Sequence, residues 1–113
     1  MIKHTQEGRH LIIEFYGCQL FDFIEKDLRK IIIDIGNTPL EYIEHVFKPY
    51  GKTGVMLLEE SHLSIHTYPE YGYIAIDIFT CGSNTNPYEA IDYLKELFKP
   101  NYVVTKDITR GKG

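Results

Sequence analysis

Leu63, Ile65 and Thr67 alternate with Ser64, His66 and Tyr68, a Pro69-Glu70-Tyr71-Gly72 turn follows, and Tyr73-Ile74-Ala75-Ile76-Asp77-Ile78-Phe79 resumes a strand-like run. Side chains on a strand point alternately to opposite faces, so a period of two asks for a sheet with one face on a core. A helix would scatter the same apolar residues around its circumference. The turn residues between the runs make the pair a hairpin. Any fold for this chain has to be built around a sheet that contains it.

The other segments extend that sheet or cover it. His10-Leu11-Ile12-Ile13-Glu14-Phe15-Tyr16, closed by Gly17, reads as a buried strand. From Leu20 to about Ile35, Phe21, Ile24, Leu28, Ile31, Ile32 and Ile35 recur at helical spacing among charged residues, which predicts an amphipathic helix stopped at Gly36-Asn37. Thr38-Pro39 to Phe47 and Val55 to Leu58 read as two strands joined by Lys48-Pro49-Tyr50-Gly51. Pro87 opens a second helix with Ala90, Ile91, Leu94, Leu97 and Phe98 on one stripe. A last strand is expected at Tyr102-Val103-Val104, with a frayed tail from Thr109 to Gly113.

The order β-α-β-β-β-β-α-β predicts an α+β, two-layer sandwich: a largely antiparallel sheet with two helices on one face, in a single domain spanning residues 1–113. The uncovered face of so small a chain calls for a second copy, so a homodimer is expected. Twelve Lys plus Arg against 16 Asp plus Glu leaves a net charge of −4, which argues against nucleic acid as a partner. No apolar run is long enough to span a membrane, and the start Met1-Ile2-Lys3-His4-Thr5 lacks a signal-peptide core. With two well-separated cysteines, Cys18 and Cys81, a cytoplasmic protein without a disulfide framework or zinc site is expected.

Between Glu59 and Cys81, polar residues interrupt strand-like sequence more often than folding alone explains. Ser61 lies at a turn between strands, as a linking residue would. In a strained turn its hydroxyl could also attack the preceding Glu60 carbonyl and convert the amide to an ester. His66 is a half-exposed strand histidine or a base that removes the Ser61 Cα proton, expelling Glu60 and leaving a dehydroalanine that hydrolyses to a pyruvoyl group. Cys81, before Gly82, is a small buried residue or a thiol aimed into a pocket. His62, His66 and Glu70 are candidate metal ligands by type, but a turn separates them and no metal is expected.

Glu60-Ser61-His62-Leu63-Ser64-Ile65-His66-Thr67-Tyr68-Pro69-Glu70-Tyr71-Gly72-Tyr73, followed by Asp77-Ile78-Phe79-Thr80-Cys81-Gly82, resembles the processing and catalytic segment of the prokaryotic S-adenosylmethionine decarboxylases. The likeness reaches Gly8-Arg9-His10-Leu11, Val46-Phe47-Lys48 and the C-terminal helix, while Asp34 to Tyr42 matches poorly. The resemblance implies self-cleavage at Glu60-Ser61 into a β chain of residues 1–60 and an α chain of 61–113. Ser61 would become the pyruvoyl cofactor that forms a Schiff base with the substrate. His66 would be the processing base and Cys81 the acid that returns a proton to the substrate carbon.

The same resemblance implies that Phe47 stacks on adenine, Leu63 contributes to that pocket and Glu70 binds the ribose hydroxyls. Phe47 and Tyr68 are also placed to meet a sulfonium cation. The product would be the aminopropyl donor for spermidine and other polyamines, made by a dimer with its active sites at or near the subunit contact. Thr53 replaces the Ser and Tyr68 the Trp of many members, which bears on processing and on pocket shape respectively. Two other readings remain: a pyruvoyl-dependent arginine or ornithine decarboxylase on the same scaffold, and a non-catalytic α+β ligand-binding module.

Overall fold

The computed structural model describes residues 8–81 and 86–111; the N-terminal residues read for a leader, Gly82 and the last two residues of the tail lie outside them. The elements are β1 (Gly8–Tyr16), α1 (Glu25–Asp34), β2 (Pro39–Val46), β3 (Lys52–Leu58), β4 (Ser61–Tyr68), a 3-10 turn (Pro69–Tyr71), β5 (Tyr73–Cys81), α2 (Tyr88–Phe98) and β6 (Tyr102–Arg110). Their order is the one expected. One six-stranded sheet runs β2-β3-β4-β5-β1-β6, and every neighbouring pair is antiparallel. This is an α+β fold. No helix among the described residues is long and apolar enough to cross a membrane.

Alternation on the strands decides which side chains meet the helices. Leu11, Ile13 and Phe15 of β1, Met56 and Leu58 of β3, Leu63 and Ile65 of β4, and Ile74, Ile76 and Ile78 of β5 form one core with Leu28, Ile31, Ile32, Leu94 and Phe98. Phe98 anchors α2, with its ring edge-on to Phe15 at 6.5 Å and to Phe23 at 6.1 Å. Phe98→Ala leaves a cavity among fully buried rings and is expected to destabilise the protein by about 3–5 kcal/mol. Urea denaturation checks this, and a loss under about 1 kcal/mol would contradict the core described.

Two boundaries differ most from the sequence expectation. The first helix begins at Glu25, not Leu20, because the preceding backbone is engaged elsewhere: the Gln19 and Leu20 N–H groups donate to the Phe98 carbonyl at 3.0 and 3.2 Å. The Lys52 ammonium donates to the Phe23 carbonyl, and the Phe23 side chain is buried from an extended segment. The Asp27 carboxylate then accepts the Ile24 N–H at 3.0 Å and opens the helix. The second difference is the tail: β6 continues to Arg110 because it pairs along all of β1, from Tyr16↔Tyr102 to Gly8↔Arg110. Arg9 reinforces that pairing with an ion pair to Asp107 at 2.5 Å and its guanidinium over the Tyr88 ring at 5.1 Å.

Candidate active site

The odd positions of β4 face the helices, so its even positions, His62, Ser64, His66 and Tyr68, stand on the open face of the sheet. Register extends this into rows that cross the strands. Thr53 lies opposite His66 and His66 opposite Ala75; His62 lies opposite Phe79, which lies opposite His10. Thr53 Oγ1 is 3.0 Å from His66 Nδ1 and fixes the ring. The β-branched hydroxyl at position 53 thus still reaches the histidine.

Ser61 begins β4 directly after Glu60, whose φ of 61° lies in the left-handed region. A non-glycine residue there is strained. Ser61 is 8% exposed, and its Oγ is buried without a hydrogen-bond partner among the described residues. An unpaired buried hydroxyl is destabilising and calls for an explanation. Strain and an orphaned nucleophile therefore coincide at the Glu60-Ser61 bond. Cys81 is the last residue of β5, opposite Gly8, and the His62↔Phe79 register places it at the same end of the sheet as Ser61.

Phe47, Glu70 and Tyr68 gather at the other end. Phe47 follows β2, is 49% exposed, and packs edge-on to His45 at 4.6 Å. Glu70 is exposed in the 3-10 turn that follows Tyr68. Leu63 departs from its expected place: its side chain is fully buried in the helix-side core, on the face away from Phe47, and only its backbone is available to a ligand. Ser61 and His66 point to opposite faces and stand about 17 Å apart along the strand, at roughly 3.3 Å per residue. Within one chain the residues thus divide into a Ser61 and Cys81 group and a Phe47, Thr53, His66, Tyr68 and Glu70 group.

Two further clusters are not recognised as groups in the sequence reading, which gives a role to Tyr68 alone among their members. Tyr68, Tyr73, Tyr16 and Tyr102 stand side by side across four strands, with ring centroids 5.5, 5.3 and 6.0 Å apart in turn. Tyr73 O–H donates to the Glu14 carboxylate, and burial together with that carboxylate raises the Tyr73 pKa. Nearer the Cys81 end, the Asp77 carboxylate accepts from His10 Nε2 at 3.0 Å and from the Ser64 hydroxyl at 3.3 Å. Each residue alone looks like an ordinary strand position; only cross-strand register reveals the groups.

A sequence profile described as S-adenosylmethionine decarboxylase matches residues 9–111. The chain belongs to the S-adenosylmethionine decarboxylase family. The S-adenosylmethionine decarboxylase proenzyme of Thermosipho melanesiensis is 44% identical over 110 residues, covering 93% of this chain and 85% of that protein. That of Acetivibrio thermocellus is 41% identical over 109 residues, covering 92% of this chain and 88% of the relative. The crystal structure of the adenosylmethionine decarboxylase from Aquifex aeolicus superposes with a TM-score of 0.77 at 30% identity, over 94% of this chain and 92% of that one. The strained bond, its orphaned serine and the cysteine at the strand end all fall inside the stretch matched to this S-adenosylmethionine decarboxylase family.

Proposed function

We propose that the chain is a proenzyme that cuts itself between Glu60 and Ser61 and then decarboxylates S-adenosylmethionine. The observation that carries this reading is the coincidence, at one peptide bond, of a left-handed Glu60 and a buried Ser61 hydroxyl with no partner among the described residues. Attack of Ser61 Oγ on the Glu60 carbonyl carbon breaks no existing hydrogen bond and relieves the turn as the amide becomes an ester. Removal of the Ser61 Cα proton expels Glu60 as a free chain end. Addition of water and loss of ammonia then leave a pyruvoyl group at residue 61. Once formed, that group supplies a carbonyl that takes up the substrate amine and draws in the electron pair released with carbon dioxide.

His66 is the base for the proton step, held by Thr53. Its distance from Ser61 within one chain supports an assembly in which a second copy supplies it. The open face carries exposed apolar side chains, among them Ile43, Leu57, Tyr102 and Ile108, and facing sheets of two copies would bury them. A two-fold axis running across the strands sets the Ser61 and Cys81 end of one copy over the Phe47, His66 and Glu70 end of its partner. In that arrangement Phe47 offers a ring to the adenine, Tyr68 a ring to the sulfonium and Glu70 a carboxylate to the ribose hydroxyls.

Residues 1–60 and 61–113 remain a single domain after the cut, because β4 pairs with β3 on one side and β5 on the other. The reading makes the product the aminopropyl donor for spermidine synthesis in the cytoplasm. Cys81, at the same end of the sheet as the new chain end, returns the proton to the substrate carbon. Cys81→Ala is accordingly expected to be cut normally yet to release carbon dioxide about 10²- to 10⁴-fold more slowly. Intact mass and carbon dioxide release from one preparation check this; near-normal turnover removes Cys81 from the site.

A further inference from the structure

The proposed chemistry consumes a proton that Cys81 does not by itself replace. Decarboxylation exchanges carbon dioxide for a proton at the carbon it leaves, so a thiol that gives this proton becomes a thiolate. The next turnover waits until the thiol is restored. Cys81 lies opposite Gly8 and His10 lies opposite Phe79, which makes Cys81 and His10 diagonal partners on one face. Such pairs stand about 7–8 Å apart at Cα, a gap that the two side chains and one water can bridge. Gly8 keeps the place beside them clear, since a Cβ there would come within 2.6 Å of the Phe79 ring.

His10 is held for this task. A carboxylate only accepts hydrogen bonds, so its contact with Asp77 Oδ1 at 3.0 Å puts a proton on Nε2 and leaves Nδ1 as the exchanging atom. Ser64 steadies the other Asp77 oxygen at 3.3 Å. The His10 side chain is 23% exposed, enough to meet solvent. The other groups around it are His62 on β4, whose ring lies 6.5 Å away beyond Phe79, and Lys106 and Arg110, its diagonal neighbours on β6. The Arg110 guanidinium covers the Phe79 ring at 5.1 Å.

We infer that His10, oriented by Asp77, is a positioning residue that acts through Cys81 and reprotonates it between turnovers. The imidazolium Nδ1–H passes its proton through one water to the Cys81 thiolate, and the imidazole then takes a proton from solvent. One proton enters for each carbon dioxide released, so the cycle balances. The inference rests on Cys81 being the proton donor.

His10→Gln tests it, because the amide can still donate to Asp77 but has no proton to pass on. Rapid-quench measurement of carbon dioxide is expected to show a first turnover within about twofold of the unsubstituted enzyme, then a steady rate slowed roughly tenfold or more. Added imidazole is expected to restore the later turnovers. A readout independent of turnover is alkylation of Cys81 by iodoacetamide in the uncut Ser61→Ala background. Loss of the neighbouring His10 ring is expected to slow it roughly three- to tenfold. Burial pushes the Cys18 thiol up to about 11, and peptide mass analysis keeps the two cysteines separate.

Asp77→Asn is expected to give the same burst with a smaller loss. Uniform slowing from the first turnover, or unchanged alkylation, overturns the role of His10. Full activity in Cys81→Ala instead overturns the reading on which the inference rests.

Discussion

Ser61→Ala is expected to yield one uncut chain of 113 residues that releases no carbon dioxide from S-adenosylmethionine. The change removes the oxygen that attacks the Glu60 carbonyl, and with it the only source of a pyruvoyl group at residue 61 in the proposed reaction. Its effect on folding runs the other way. Ser61 Oγ is buried without a partner among the described residues, so its loss breaks no hydrogen bond there and removes a destabilising group. The variant is therefore expected to melt at or above the temperature of an uncut reference, with the whole effect falling on chemistry. Intact mass under denaturing conditions, a thermal melt and a carbon dioxide assay on one preparation decide it. Cutting that continues at the Glu60-Ser61 bond would refute the mechanism.

The second large effect is a rescue. His66→Ala alone is expected to remain uncut, since the Ser61 Cα proton then has no base. Co-expressed with Ser61→Ala, the same His66→Ala chain is expected to be cut, because the partner's intact His66 reaches its Ser61. With equal expression and random pairing, about half of the His66→Ala chains sit in mixed dimers and become substrates for this cut. The physical basis is the separation of Ser61 and His66 by about 17 Å along β4, which no rotamer change spans. Mass tags on the two chains identify which is processed. If the His66→Ala chain stays intact in the mixture, the shared site is wrong and the base must lie elsewhere in the same chain.

Much of this architecture was legible before any coordinates. Binary alternation from Leu63 to Phe79 identifies β4 and β5, the apolar run around Leu11 identifies β1, and helical spacing around Leu28 and Leu94 identifies both helices, because burial imposes those patterns on the sequence. Boundaries were less legible where long-range contacts decide them. Residues 20–23 carry a helical pattern, yet their backbone is tied to the end of α2 and to Lys52. The tail from Thr105 to Arg110 has little apolar content and becomes a strand only because β1 is available to pair with it.

The site divides in the same way. Residue type and local spacing offered Ser61, His66 and Cys81 as chemical groups beside ordinary turn, strand and core readings, and the family resemblance assigned their roles and added Phe47 and Glu70. Which of them meet was decided by tertiary structure. The parity of β4 sends the Ser61 and Leu63 side chains toward the helices and His66 toward the open face, which leaves Leu63 only its backbone to offer on that face. Register alone joins His10 to Asp77 and aligns the tyrosines, since those partners lie on different strands and far apart in the chain. A sequence records what each residue can do and how its immediate neighbours repeat; faces, registers and distances across a sheet are set only when the strands pair, and they determine which of those residues can react together.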